Sequence, residues 1–421
     1  MLTTFFPREP VARALTVATM AMSLSTGLFY AVSALYFTRT LGLSATTVGL
    51  GLTVAGACGV VASYAAGWAS DRVPADLVQR WAMVGQGLAL LAYVFADGTA
   101  WFVLVACFAV GLRAAGGAAR QAMIARWFTG SDRVTTRAGL RVVTNVGIGL
   151  GTVVAAVALV IDTAAAYRFT MAGAGVLVLL ATVPLFGLGR RVPGLTDRLL
   201  PIADDESGGP RGRSPLTDRT YLGAVAMATV FAINFGIQTV GVPLWVAGHT
   251  EAPTVVISLL MIVNTIFVAV FQVPASRGTH DILVAGRAVR RAGVLVAVGC
   301  GLLAAAAYGG TGPAVVLLVL GALALAAGEV FSEAGNWGLA FELADPRSAG
   351  AYQGVSQTGY AVAAMLAPTV VTVTAISHGT PGWVLLAVLF LAAGTTTAVI
   401  ARRAAACTPS TPYPLRRVTA P

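Results

Sequence analysis

Glu329 and Glu333 lie within one long apolar stretch, four residues apart and so on one side of a helix. Arg113 and Arg120 lie within another. At about 1.5 Å per residue, Arg113 is roughly 20 Å down from Ala100, and Glu329 and Glu333 are roughly 24 and 30 Å along from Pro313. A charge at mid-membrane costs at least ~2.5 kcal/mol, so each of these groups calls for a partner or a wet cavity. The chemistry open to them is charge pairing and proton exchange. Desolvation and a nearby arginine pull a carboxylate's proton affinity in opposite directions, so a carboxylate that moves between the two settings couples its protonation to conformation. Aligning Arg126 with Glu342 as the inner ends of their helices sets Arg113 opposite Glu329. Two readings stay open: a proton-coupling set of Glu329, Glu333 and Arg113, or static pairs, Arg113 with Glu329 and Arg120 with Glu333, that only neutralise buried charge. Arg120 is also placed to snorkel toward the headgroups.

Uncharged groups at helical spacing complete a candidate binding surface. They are Thr26, Tyr30, Ser33 and Tyr36 in the first apolar stretch, Asn234 and Gln238 in the seventh, and Asn336 and Trp337 beside the glutamates, with Asn264, Gln272, Gln353 and Gln357 as weaker candidates. A lining of aromatics and amides suits a mainly apolar organic ligand. Each of these side chains is equally suited to helix packing.

The residue inventory removes other chemistries. All 27 basic residues are arginine, so there is no phosphate-loop lysine and no Schiff base. His249, His280 and His378 fall in loops, and Cys58, Cys107, Cys300 and Cys407 show no metal-ligand spacing. We expect no metal, no cofactor, no disulfide and no enzymatic triad.

The elements that must position these groups follow from composition. Of 421 residues 57% are hydrophobic and 10% charged, against roughly a quarter charged in soluble domains. Apolar segments read as transmembrane helices at about 12–37, 45–69, 79–97, 100–125, 141–161, 167–189, 220–246, 254–275, 289–309, 313–340, 348–377 and 380–401. The runs are continuous rather than alternating, which predicts an all-α membrane protein and not a barrel. A polar segment over 190–219 divides them into six-helix bundles at 1–189 and 220–401, followed by a tail at 402–421. With the amino terminus in the cytoplasm, Arg39 and Arg168 lie outside, Arg113 and Arg120 lie within a span, and every other arginine is cytoplasmic. The net charge of +10 is therefore a topology signal and an attraction to anionic lipid rather than a nucleic-acid surface. Both termini are expected in the cytoplasm.

Six helices, a polar linker and six more resemble the major facilitator superfamily, and two motifs sharpen the likeness. Gly67-Trp68-Ala69-Ser70-Asp71-Arg72 is similar to that family's G-x-x-x-D-R-x-G-R loop, although Val73, Pro74 and Ala75 depart from its second half. Arg113 and Gly117 resemble the R-x-x-Q-G element of proton-linked members, with Gly116 where glutamine is usual. The fifth stretch, with Arg137, Arg141, Asn145 and then Gly147, Gly149 and Gly151, loosely resembles the antiporter helix, Thr152 replacing its proline. Gly328-Glu329 through Gly354 resembles a further stretch of the superfamily.

The resemblance implies gating by Gly67, Asp71, Arg72 and Arg141, with Asp71 docking at the start of span eleven near Ser348 and Ala349. It also implies a cavity lined by spans one, four, seven and ten, which brings Arg113 and Glu329 into one water-accessible chamber. Our leading expectation is a proton-driven exporter of a moderately hydrophobic organic compound, a drug or secondary metabolite, in a bacterial inner membrane. An uptake symporter or facilitator for a sugar or small organic acid is the alternative, and a non-transporting receptor is a third class. Its partners would be the organic substrate, protons and membrane lipid, with no nucleic acid, and the family expectation is a monomer.

Overall fold

The computed structural model describes residues 7–199 and 213–407. The middle of the linker, with Asp204, Asp205, Glu206 and Arg211, and the tail beyond Cys407 lie outside the described residues.

The described residues form twelve long helices: α1 Pro10–Leu35, α2 Ala45–Ser70, α3 Ala75–Ala92, α4 Gly98–Trp127, α5 Ser131–Ile161, α6 Ala164–Thr182, α7 Arg219–Gly236, α8 Val256–Ala275, α9 Ile282–Ala305, α10 Thr311–Glu342, α11 Ala349–Val371 and α12 Thr380–Cys407. Eleven of these positions are long and apolar enough to cross a membrane by length and composition. The other is α3, whose first two turns carry Asp76 and Arg80, paired with each other at 2.9 Å. Helix starts are marked by caps of the expected chemistry. Asp218 accepts from the Tyr221 amide at 3.0 Å and Asp281 from the Val284 amide at 2.8 Å.

One boundary differs from the hydropathy reading in a way that matters. Span five was expected from residue 141, yet α5 begins at Ser131, so Arg133 stands on the same continuous helix as Arg137 and Arg141. A hydropathy window excludes a charged first third of a helix even when that third is buried against a neighbour.

Among the described residues two large apolar cores stand beside two small clusters. One is built from α1 to α6 and the residues that follow, the other from α7 to α12. Trp337 and Phe341 of α10 and Ala349 of α11 belong to the first core, so the two sets of helices are packed together on the side that carries the linker. Among the described residues, the hydrogen bonds joining the sets run between α5 and α10 and between α2 and α11. On the far side Arg39 pairs with Asp162 at 3.0 Å within the first set, and Tyr308 meets Thr380 at 2.8 Å within the second.

Glycine sets two of the closest helix crossings. Gly27 of α1 and Gly151 of α5 are each so near the opposing backbone, at Ile148 and Leu24, that a methyl group would collide with a carbonyl oxygen. Gly67 of α2 likewise lies against Gly350 and Gly354 of α11. Overpacking predicts that Gly151→Ala lowers thermal stability in detergent by roughly 1–3 kcal/mol. Gly301→Ala, which has open space, should leave the melting temperature unchanged or slightly raised. Equal melting curves for the two variants would contradict the crossing.

Candidate functional site

The arginines at 133, 137 and 141 recur every four residues, which aligns them along one face of α5. That face meets α10. At mid-depth Arg141 Nη2 lies 2.7 Å from Glu329 Oε1. Glu329 Oε2 accepts from Gln238 Nε2 at 2.9 Å and from Asn264 Nδ2 at 3.3 Å, and the Asn264 amide also donates to Gln238 Oε1. One carboxylate thus takes donors from α5, α7 and α8. Its side chain is 10% exposed, while that of Arg141 is 28% exposed.

One turn toward the linker side, Arg137 is buried in an aromatic cage, its guanidinium 4.9 Å from the Trp337 ring centre, 5.7 Å from Phe341 and 5.9 Å from Tyr360. Glu333 lies among Arg137, Arg141 and Tyr360. At the linker face Arg133 stands 3.7 Å from Glu342. Three arginines of α5 therefore oppose acidic or aromatic groups of α10 along the seam between the two helix sets.

Gln238 reaches Glu329 because α7 widens into a π turn over Ile237–Gly241 before continuing as Val242–His249. Such turns redirect side chains and recur at functional sites. Arg141, Asn145, Gln238, Asn264 and Glu329 line a cavity of 270 Å³ whose other walls are largely apolar, with Phe235, Leu260 and Leu325 among them.

Two sequence expectations are corrected here. Arg113 does not face Glu329: its guanidinium is exposed to a separate cavity of 410 Å³, with Tyr30 Oη 3.4 Å away. Arg120 does not pair with Glu333 but points to Thr19 Oγ1 at 3.5 Å. Rise per residue gives position along a helix and not the direction around it. Helix α4 packs on α2, α3 and α11, whereas α10 packs on α5, α8 and α9, which puts α5 nearer the glutamates than α4.

The remaining candidates divide between cavity and packing. Tyr30 and Ser33 line the larger cavity, together with Thr26, Gln86 and Tyr93. Asn234 is buried and donates to the Leu325 carbonyl at 3.4 Å. Asn336 and Trp337 are buried in the helix seam rather than open to either cavity. Asn145 and the pairing of Arg141 with Glu329 were missed as one cluster. The four-residue arginine repeat opposite a four-residue glutamate repeat was the signal that could have found it.

On the linker side, Asp71 follows the last turn of α2 and accepts from the Gly350 and Ala351 amides of α11, both at 2.7 Å, and from Arg126 Nη2 at 2.6 Å. A helix N-terminus favours an anion. Burial pushes the Asp71 carboxyl up from its ordinary range, against the amides and the arginines that pull it down. Arg126 also donates to the carbonyls of Ser70 and Leu199. Arg72, by contrast, is exposed and stacks on Trp68 of its own helix, 3.2 Å from the ring centre. It does not bridge to the second helix set.

Residues 15–368 match the family model described as Major Facilitator Superfamily. A search of the curated proteins gives no significant match. Among solved structures, a bacterial homologue of the iron transporter ferroportin in an outward-facing state superposes with a TM-score of 0.72 at 15% identity, covering 94% of this chain and 99% of that one. The human organic anion transporter MFSD10 (TETRAN) gives 0.66 at 14% identity, covering 93% and 99%. At these identities the likeness is one of fold.

The buried pair makes a stability prediction. Arg141→Ala leaves Glu329 without its cation and should destabilise the protein by roughly 3 kcal/mol, whereas Arg141→Ala with Glu329→Gln should regain much of that loss. A double-mutant cycle of thermal unfolding in detergent measures it. Additive losses would mean that the two side chains are not energetically coupled.

Proposed function

The chain belongs to the Major Facilitator Superfamily and is a secondary transporter of the membrane rather than an enzyme, and from that premise we propose that it exports a moderately hydrophobic organic compound, a drug or secondary metabolite, in exchange for protons. The arrangement of arginines favours a bacterial inner membrane with the linker and both termini in the cytoplasm. In that orientation the molecule is closed toward the cytoplasm, through Asp71 on α11 and the α5–α10 seam, and the cavities beside Arg113 and Glu329 belong to the outward-facing half of the cycle.

The observation that carries the coupling is the setting of Glu329. It is an intramembrane carboxylate beside a cavity, held by Arg141 from the first helix set and by Gln238 and Asn264 from the second. A proton arriving from outside cancels the charge that holds Arg141, so the rung joining α5 to α10 weakens. With that rung weakened, the Asp71 contact becomes the main polar tie across the cytoplasmic side, and its release opens the chamber inward. Loss of the proton to the cytoplasm restores the pair. Glu333 and Arg137 lie one turn deeper, and their aromatic cage keeps water from running through the seam while the mid-depth rung is open. Tyr30, Ser33 and Gln238 supply polar contacts to a solute held mainly by apolar walls.

A second reading, uptake of a small organic acid, is favoured by one observation: Arg113 is an exposed guanidinium facing the larger cavity. Growth protection against toxic compounds by the expressed protein supports export, while accumulation of a labelled nutrient in whole cells supports uptake.

Everted vesicles energised to an acid interior provide the test. Candidate organic compounds should collapse the pH gradient reported by an acridine dye, and Glu329→Gln should remove that response by roughly tenfold or more while solute exchange without a gradient persists. Unchanged proton-driven transport in the variant would take Glu329 out of the mechanism.

A further inference from the structure

Resting on the reading of the chain as a carrier of a mainly apolar organic solute, we propose that the cavity around Arg113 binds an organic monoanion, a carboxylate or sulfonate on an apolar body. The first support is charge balance at mid-depth. Arg113, Arg120, Arg137 and Arg141 stand against Glu329 and Glu333, so two positive charges remain when both glutamates are ionised. Glu329 is held by Arg141, and Glu333 lies between Arg137 and Arg141. Arg113 takes part in none of the ion pairs among the described residues, and its polar neighbour is a phenol oxygen at 3.4 Å. A guanidinium in this position presents a planar fork of donors matched to a carboxylate or sulfonate.

The second support is the cavity itself. It is the larger of the two at 410 Å³, room for a fused-ring or similar apolar body. Phe29, Leu52, Tyr93 and Met365 give it apolar walls. The hydroxyls of Ser25 and Thr26 already donate to backbone carbonyls of Ala174 and Met22, which leaves Arg113 as the charged donor of the lining. A cationic solute would meet like charge there, and a neutral one would leave the excess charge in place. The 270 Å³ cavity differs in kind, because its arginine is already paired with its glutamate.

A matched set of probes tests the assignment: 2-naphthoate, 2-naphthylmethanol and 2-naphthylmethylamine, titrated calorimetrically into the purified full chain in detergent without any ion gradient. The carboxylate should bind roughly tenfold or more tightly than the alcohol, and the amine most weakly. Arg113→Gln should bring the carboxylate down to the alcohol's affinity, while Arg113→Lys retains part of the preference. Equal binding of carboxylate and alcohol by the unaltered protein overturns the proposal, as does no binding of any probe at about 1 mM. A preference kept in Arg113→Gln but lost in Arg141→Gln also overturns it, because the anion would then occupy the other cavity. The measurement needs no proton gradient, so loss of proton coupling in vesicles would fell the exchange mechanism and leave this assignment standing.

Discussion

A charge inside a membrane must have a counter-charge, a polarisable surface or water within reach, because hydrocarbon supplies none of them. The arrangement of α5 against α10 follows from that constraint. Repeats of four residues on both helices let Arg141 meet Glu329 and place Arg137 against Trp337 and Phe341, with Arg133 toward Glu342 at the rim. The rungs lie across the seam between the first six helices and the last six. Any movement that separates the two sets on the linker side has to undo these contacts or carry them along.

Much of the fold could be read from the chain because lipid imposes it. Continuous apolar runs, their number and the polar break after α6 follow from hydrophobic thickness and backbone hydrogen bonding. The site was only partly legible. Glu329 and Gln238 were identifiable as polar groups within spans and Arg141 as the first residue of span five, but their association was not, since rise per residue gives position along a helix and says nothing of which neighbour a helix face meets. Arg113 and Arg141 both lie in the first helix set, and only packing decides that α5 rather than α4 presents its arginine to α10. Hydropathy started span five at residue 141, which left Arg133 out of it although it stands on the same helix as Arg137 and Arg141. Asp71 was legible for the opposite reason. Its partner is a helix end, and a helix end is a feature the sequence locates directly.

The seam also changes character with depth. At Glu329 it is polar and beside a cavity, with three helices donating to one carboxylate. One turn on it is aromatic, and Arg137 has rings on its face. At the rim the pair of Arg133 and Glu342 stands at 3.7 Å, with both side chains about a quarter exposed, and is worth little in stability. Among the three arginines of this face burial is deepest at Arg137, between the polar rung and the rim.

The two cavities divide the problem of moving charge through lipid. Beside α10, a carboxylate and a guanidinium neutralise each other, so that site gains a net charge only when a proton arrives. Beside α1 and α4, Arg113 has no such counterpart among the described residues, so that site keeps a net charge until something negative enters. On the proposed reading the two changes have opposite electrical sense. A proton on Glu329 adds one positive charge to the chamber, and an anion on Arg113 removes one. With both bound the net charge is what it is with neither, so charge alone does not set the two against each other, and exchange on the proposed reading needs the seam to admit proton and anion from opposite sides.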